Sequence, residues 1–464
     1  MNEAPGEDVL PKIIQGGMGA NVSSPLLAAT VSGASRPGRE TLGTISGTAL
    51  ERVMARMLQI GDTDADDIIR ALADFPFPDV AERIIKKYHN NAKAGIPVFT
   101  VQPSNHLIEL VICANYAFVK LAKRGHNNPV SINYLDKIDM PHLSSIYGAM
   151  LADVDFVTMG AGIPRRIPPI FQAFSEGKVA TCNIPVIGNQ DGYEMTFDPK
   201  EFFHQETPEV KVPKFLPIIS TDILAQILNK KIHGLMTGFI IEAPTAGGHN
   251  APPRDKRAYG PKDTVDFEKM REIGLPYWLA GGYASPEGLE RALDLGAVGI
   301  QVGSIFAFSQ QSGIRPDLRE QAIEMAYNGM LRVITDKRAS PTGFPFKVAQ
   351  IQGTVSEEVI YKTRERVCDQ CALRSAYQKP NGGIGYRCAS EPVDHYIKKG
   401  GEEEDTVGRK CLCNGLMATA GVGDTEPAII TLGDDTSFVQ RLLKQGETSY
   451  SALQVLEYLF GRKT

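Results

Sequence analysis

Eight short apolar runs recur between residues 12 and 306, and helical patterns lie between or after them. They are "KIIQGG" (12–17), "ETLGTISG" (40–47), "PVSINYL" (129–135), "VDFVTMGAG" (154–162), "KFLPIIS" (214–220), a run inside "HGLMTGFIIEAP" (233–244), "LPYWLAGG" (275–282) and "AVGIQVGSIF" (297–306). Strands that are apolar throughout, rather than on alternate residues, are buried on both faces. That is the mark of a parallel sheet covered by helices. "SSPLLAATVS" supplies the first helix, with Ser23 or Ser24 as its cap, and "SPEGLERALDLG" and "LREQAIEMAYNGML" supply later ones. Eight such units predict an α/β fold, a closed (β/α)8 TIM barrel over residues 11–340.

Two segments exceed a minimal barrel. Residues 61–128 hold extra helical material, "ADDIIRALADF" and "NHLIELVICANYAFVKLAK". Residues 189–213, "NQDGYEMTFDPKEFFHQETPEVKVP", read as a long polar loop, either a surface insertion or a lid. Beyond residue 340 the alternation stops. Residues 341–464 form a C-terminal extension with a group of cysteines and a closing helix, "SALQVLEYLF".

Bulk composition excludes several classes of partner. Hydrophobic residues make up 42% and charged residues 22%, which suits a globular chain with a large core. The net charge of −5 offers no footprint for nucleic acid or an anionic membrane. No run of 18 apolar residues exists, and "MNEAPGEDVLPKIIQGG" lacks the apolar centre of a signal peptide. Seven cysteines without an export signal point to a reducing compartment, so the expectation is a cytoplasmic protein.

In a barrel, the chemistry sits where the strands end. The first strand ends in Gly16-Gly17-Met18-Gly19, where the glycines let a planar ligand lie against backbone; a tight turn is the plainer alternative. The sixth ends in "EAPTAGGHNAPPR". Gly247 and Gly248 allow the chain to approach a ligand, and His249 carries the side chain best suited to proton transfer near neutrality. The seventh strand ends in Gly281-Gly282, ahead of a helix start at Ser285-Pro286, and the eighth ends in Gly303-Ser304. Exposed N–H groups at those two loops make a phosphate site.

In the extension, Cys368, Cys371, Cys388, Cys411 and Cys413 lie close together in sequence. They suit a zinc or iron–sulfur site, a redox pair, or core packing. Arg364, Arg366, Arg409 and Lys410 around them read as a solvated face.

"PKIIQGGMG", "EAPTAGGHNAPPR", "LAGGYASPEGLERALDLGAVGIQVGSIF" and "SPTGFPFKV" resemble the nitronate monooxygenase (2-nitropropane dioxygenase) family of FMN-dependent barrels. The resemblance covers residues 11–350. It implies an FMN cofactor, with Gly17, Met18 and Gly19 along the flavin and Gly281, Gly282, Gly303 and Ser304 at its phosphate. Ser46 and Asn133 are further flavin contacts on the same ground. It implies that His249 takes the α-proton of a nitroalkane, with a small-molecule substrate and O2 as partners. Such barrels are often dimeric, and the helices of 61–128 could serve a homodimer interface. The longer "SGASRPGRETLGTISG" loop and the extension depart from the family's pattern. FMN-dependent enoyl-thioester reductases share the phosphate and histidine motifs, and "CNGLMATAG" (413–421) is similar to a tail motif of their trans-acting members. An enoyl-thioester (enoyl-ACP) reductase is therefore the alternative activity, and a non-catalytic flavin-binding partner a third reading.

Overall fold

The structure, a computed structural model, describes residues 9–255 and 258–461. Residues 1–8 of the stretch read for an export signal lie outside the described residues. The barrel is closed and wholly parallel. Its strands are β1 (Ile13–Gln15), β2 (Thr41–Ser46), β3 (Val130–Leu135), β4 (Phe156–Gly160), β7 (Lys214–Ile219), β8 (Phe239–Glu242), β9 (Tyr277–Ala280) and β10 (Gly299–Val302); β5 (Ala180–Ile187) and β6 (Asn189–Phe197) lie outside it. The order around the barrel is β1-β10-β9-β8-β7-β4-β3-β2. Ile13 pairs with Ile300 on one side and Thr41 on the other, which closes the ring. Each apolar run singled out in the sequence supplies one barrel strand.

Alternate strand residues divide the core in two. Ile14, Leu42, Phe156, Leu216, Ile240 and Trp278 fill the barrel interior, and Trp278 donates its indole N–H to Pro11 O at 2.6 Å. Their neighbours, such as Ile13, Ile45 and Ile132, face the helices. The helix Pro25–Gly33 lies so close to β2 that a Cβ on Gly43 would sit 2.0 Å from Ala28 O, so only glycine fits there. Ser24, not Ser23, caps that helix, accepting from Leu27 N at 3.1 Å.

Between β2 and β3 run the helices Leu50–Ile60, Thr63–Leu72, Pro78–Tyr88 and Asn105–Ala122. The last is buried along most of its length, so its apolar residues are used within the chain. The polar-loop reading of 189–213 is corrected for 189–203, while 204–213 has no regular structure. Residues 189–197 are β6, which pairs antiparallel with β5 through Gly188 at φ 84°. The helix Pro199–Phe203 follows, capped by Asp198, and Met195 and Phe197 turn inward. The polar side chains of the segment lie on the face away from the core, as in any one-sided strand.

The extension is built into the fold. Arg332–Asp336 (β11) and Phe346–Gln350 (β12) form an antiparallel pair. Ser375–Gln378 (β13) and Ile384–Arg387 (β14) complete a four-stranded sheet of order β14-β13-β5-β6, with Ala376 opposite Val186. Further on, Ile430, Leu432, Phe438, Tyr450 and Val455 join the same core as the barrel helices. Phe438 meets Phe308 at a ring separation of 6.0 Å, and Tyr450 Oη donates to Ile305 O at 2.7 Å.

The basic residues of the extension are not a solvated face. Arg364 forms a buried ion pair with Glu426 at 2.6 Å, Lys410 pairs with Asp336 at 3.1 Å, and Arg409 donates to Ser340 O at 2.6 Å. Arg366 donates to Thr406 O at 3.1 Å. Their partners are distant in sequence, which hides them from a local reading. Among the described residues, no helix is long and apolar enough to cross a membrane.

Because Phe438 is fully buried against the barrel, Phe438→Ala is expected to destabilise the whole protein, not a detached tail. The expected loss is about 3–5 kcal/mol. Thermal denaturation followed by far-UV circular dichroism checks it; the outcome expected is one transition at lower temperature, with no separate early step.

Candidate active site

The upper layer of the barrel is polar, because the strands end there. Gln15 Oε1 accepts from Thr44 N at 3.0 Å, its amide donates to Ser23 Oγ at 2.8 Å, and Thr158 Oγ1 donates to Asn133 Oδ1 at 2.8 Å. Above this layer lies one cavity. Gly17, Met18, Gly19, Ser46, Asn133, Gly247, Gly248, His249, Gly281, Gly282, Gly303 and Ser304 all line it. Residues separated by most of the chain thus converge on one surface at the strand ends.

Several of these residues have structural work of their own. A Cβ on Gly17 would fall 2.3 Å from Asn133 Cβ, so the glycine makes room for the asparagine. Ser46 Oγ donates to Gly19 O, and Ser304 Oγ accepts from Gly433 N at 2.8 Å. A Cβ on Gly247 would meet the backbone of Leu432 at 2.8 Å, so this glycine serves the approach of the extension rather than open space. Gly248 has φ 79°, and its N–H donates to Thr431 Oγ1 at 2.7 Å.

Other groups at the cavity lack partners. The N–H groups of Gly281, Gly282, Tyr283 and Ala284 donate to nothing among the described residues. Gly281 and Gly282 adopt φ 86° and 80°, a left-handed backbone that favours glycine. Ser285 caps the helix Pro286–Asp294 behind them. Gln301 Oε1 is buried without a donor among the described residues. Asp435, an acid on the same wall, is engaged by Ser437 N at 2.9 Å.

His249 is held from behind. Its Nε2 meets Ser340 Oγ at 2.8 Å, and its ring packs edge-on against Phe346 with centroids 4.8 Å apart. Nδ1 has no hydrogen-bond partner among the described residues, and the residue lines the cavity. Burial, and then the nearby Lys137 charge, hold the imidazole well below its ordinary pKa, so it is neutral at pH 7. Glu242, at the end of β8 and on the cavity wall, is pushed up to about 8 by burial.

The extension supplies the rest of the wall. Leu373, Leu412, Cys413, Leu416, Met417 and Phe438 give it an apolar side. Sequence reasoning singled out Cys413, as a metal candidate, and missed the others, and also Gln301, Glu242 and Ser340. Ser340 and Phe346 did carry a signal, since both lie in the quoted "SPTGFPFKV".

The five extension cysteines gather near this wall. Cys368 and Cys371 have sulfurs 4.0 Å apart, and Cys371 is raised by its bond to Cys368 and by burial. Cys413 is pushed up to about 12 by burial, with Cys368 adding to the shift. All five are free thiols. Among the described residues, no group of three or more His, Cys, Asp or Glu side chains is arranged to hold a metal ion.

No protein-family model and no curated protein matches the chain. Among solved structures it is similar to FabK from Thermotoga maritima, with 16% identity, a TM-score of 0.46 and coverage of 97% of this chain and 92% of that one. It is similar to nitroalkane oxidase from Streptomyces ansochromogenes, with 14% identity, a TM-score of 0.46 and coverage of 97% and 94%. The enoyl reductase domain of MlnA, from the macrolactin biosynthesis cluster of Bacillus amyloliquefaciens, gives 11% identity, a TM-score of 0.47 and coverage of 97% and 93%.

Proposed function

We propose that the chain is an FMN-dependent oxidoreductase, a nitronate monooxygenase that oxidises alkyl nitronates with O2. The observation that carries this reading is the convergence of unpartnered N–H donors at Gly281–Ala284 with a neutral histidine on one cavity. The residues fit the cofactor. Successive free N–H groups at a left-handed glycine turn suit a phosphate monoester. Gln301 Oε1, a buried acceptor without a donor, suits the imide N–H of an isoalloxazine ring. The glycine loops offer room for one phosphate, and no GxGxxG fingerprint opens a dinucleotide fold.

FMN, when bound, supplies two-electron chemistry. The chain's own residues do the rest. Gly17, Met18 and Gly19 present backbone to a flat ligand, and Ser46 and Asn133 border it. Gly303 and Ser304 adjoin the phosphate turn. The His249 tautomer that donates Nε2–H to Ser340 leaves its lone pair on Nδ1, able to take a proton from carbon. The apolar wall of Leu412, Leu416 and Phe438 excludes water from that proton transfer.

The alternative, an enoyl-thioester reductase using a nicotinamide donor, is favoured by one feature. The main cavity shares Thr48, Ala49, Leu135, Ile138 and Ala372 with a second one beside it. Mixing the flavoprotein anaerobically with NADPH and with a nitronate separates the readings. Bleaching by the nitronate alone supports the first, bleaching by NADPH supports the second, and inertness to both supports a non-catalytic flavin-binding role.

Extraction is expected to yield FMN, identified by chromatography; FAD would overturn the cofactor assignment. Gly282→Leu is expected to give colourless, folded protein. Gly274→Leu is the control, because Gly274 has a similar φ of 74° but lies remote from the cavity. A yellow Gly282→Leu protein would overturn the phosphate site.

His249→Asn is expected to retain FMN and lose about 10²–10⁴-fold in kcat/KM on a nitroalkane, the usual range for a general base. The matching nitronate, already deprotonated, should lose far less. Equal losses on both would assign His249 to positioning.

A further inference from the structure

Behind His249, away from the cavity, runs a chain of hydrogen bonds that the reading above leaves unused. Nε2 meets Ser340 Oγ at 2.8 Å, Ser340 Oγ meets Thr342 Oγ1 at 2.8 Å, and Lys137 Nζ meets Thr342 Oγ1 at 3.4 Å. Both hydroxyls can donate and accept, so the chain can carry a proton in either direction. We propose that Ser340 and Thr342 relay the proton taken by His249 to Lys137, which lies outside the substrate cavity and acts on the reaction only through the imidazole.

The step balances without an outside reactant. The substrate C–H bond breaks, its electron pair stays on carbon, and an N–H bond forms at Nδ1. The Nε2 hydrogen passes to Ser340 Oγ, the Ser340 hydrogen to Thr342 Oγ1, and the Thr342 hydrogen to Lys137 Nζ. A neutral amine becomes an ammonium, and His249 is neutral again, with its proton moved from one nitrogen to the other.

The surroundings of Lys137 suit that end of the chain. It forms no ion pair among the described residues. Burial brings its amine down to about 7, so the uncharged form is populated at neutral pH. The ring of Phe344, 4.4 Å from Nζ, stabilises the ammonium once it forms. Lys137 lines the second cavity. The other titratable or charged groups there are engaged elsewhere. Arg166 pairs with Asp139 at 3.6 Å, Arg52 approaches Glu51 at 3.9 Å, Arg374 donates to Phe99 O at 2.6 Å, and His142 Nε2 meets Leu135 O at 3.2 Å. Arg409, which reaches Ser340, is bound to its carbonyl and not its hydroxyl.

The inference rests on the reading of His249 as a base, and its test separates the two. In the FMN-loaded protein, kcat/KM for a nitroalkane should rise with pH through the neutral range, as Lys137 loses its proton. Lys137→Met, Lys137→Arg and Thr342→Val should each abolish that limb and lower the nitroalkane rate by about 10²-fold, the low end for proton-transfer catalysis. The nitronate rate should fall much less in all three. An unchanged limb in Lys137→Met, or equal losses on both substrates, would overturn the relay. Carbon-13 NMR of ε-labelled lysine gives a readout that needs no turnover. A Lys137 midpoint near 7 supports the relay, and a midpoint at the ordinary 10.5 overturns it. Wild-type protein that turns over neither substrate would sink the proposed function, whereas turnover with an unchanged limb in Lys137→Met would sink the relay alone.

Discussion

The mouth of the barrel is held by backbone laced across it from the extension. Lys347 N donates to Gly248 O at 2.9 Å, Gly248 N donates to Thr431 Oγ1 at 2.7 Å, and Asp434 N donates to Thr245 O at 3.0 Å. Lys347, itself buried, pairs with Asp434 at 2.5 Å and draws β12 and the 431–435 loop together. These bonds clamp the loop that follows β8. The position of His249 depends on them, because the loop has no regular structure of its own and its glycines resist nothing.

Burial sets the electrical character of the site. The extension covers the strand ends with apolar side chains, which removes the water that would stabilise charge. His249 and Lys137 are driven toward their neutral forms and Glu242 toward its protonated one, all by the same desolvation. A site of neutral groups exchanges protons more readily than one of locked ion pairs, because no strong Coulombic partner has to be given up.

The sequence carried the barrel clearly and the extension poorly, for a physical reason. A strand covered on both faces is apolar at each residue, so β1 or β10 stands out from its neighbours. The strands β5, β6, β13 and β14 are buried on one face only, and β13 finds its partner β5 far away in sequence, so "NQDGYEMTF" looks like loop. The cavity glycines and His249 were legible because they break apolar runs. Their neighbours from the extension were not, since nothing local says that Leu412 or Phe438 reaches the barrel. Arg364 shows the same limit: its charge suggests water, and only the fold reveals Glu426.

The parallel pairing of β13 with β5 has a consequence for how the chain acquires its shape. The barrel strands come from the first part of the chain, and many of their contacts are local. The roof is made wholly of contacts that span long loops, whose closure entropy is met only once the later segments exist. Without β13, β5 would keep an open edge of unpaired backbone groups. Thr431, Gly433, Asp435 and Phe438 reach the cavity wall from beyond the barrel. Access to the cavity is therefore set by a segment that lies beyond the last barrel strand in sequence.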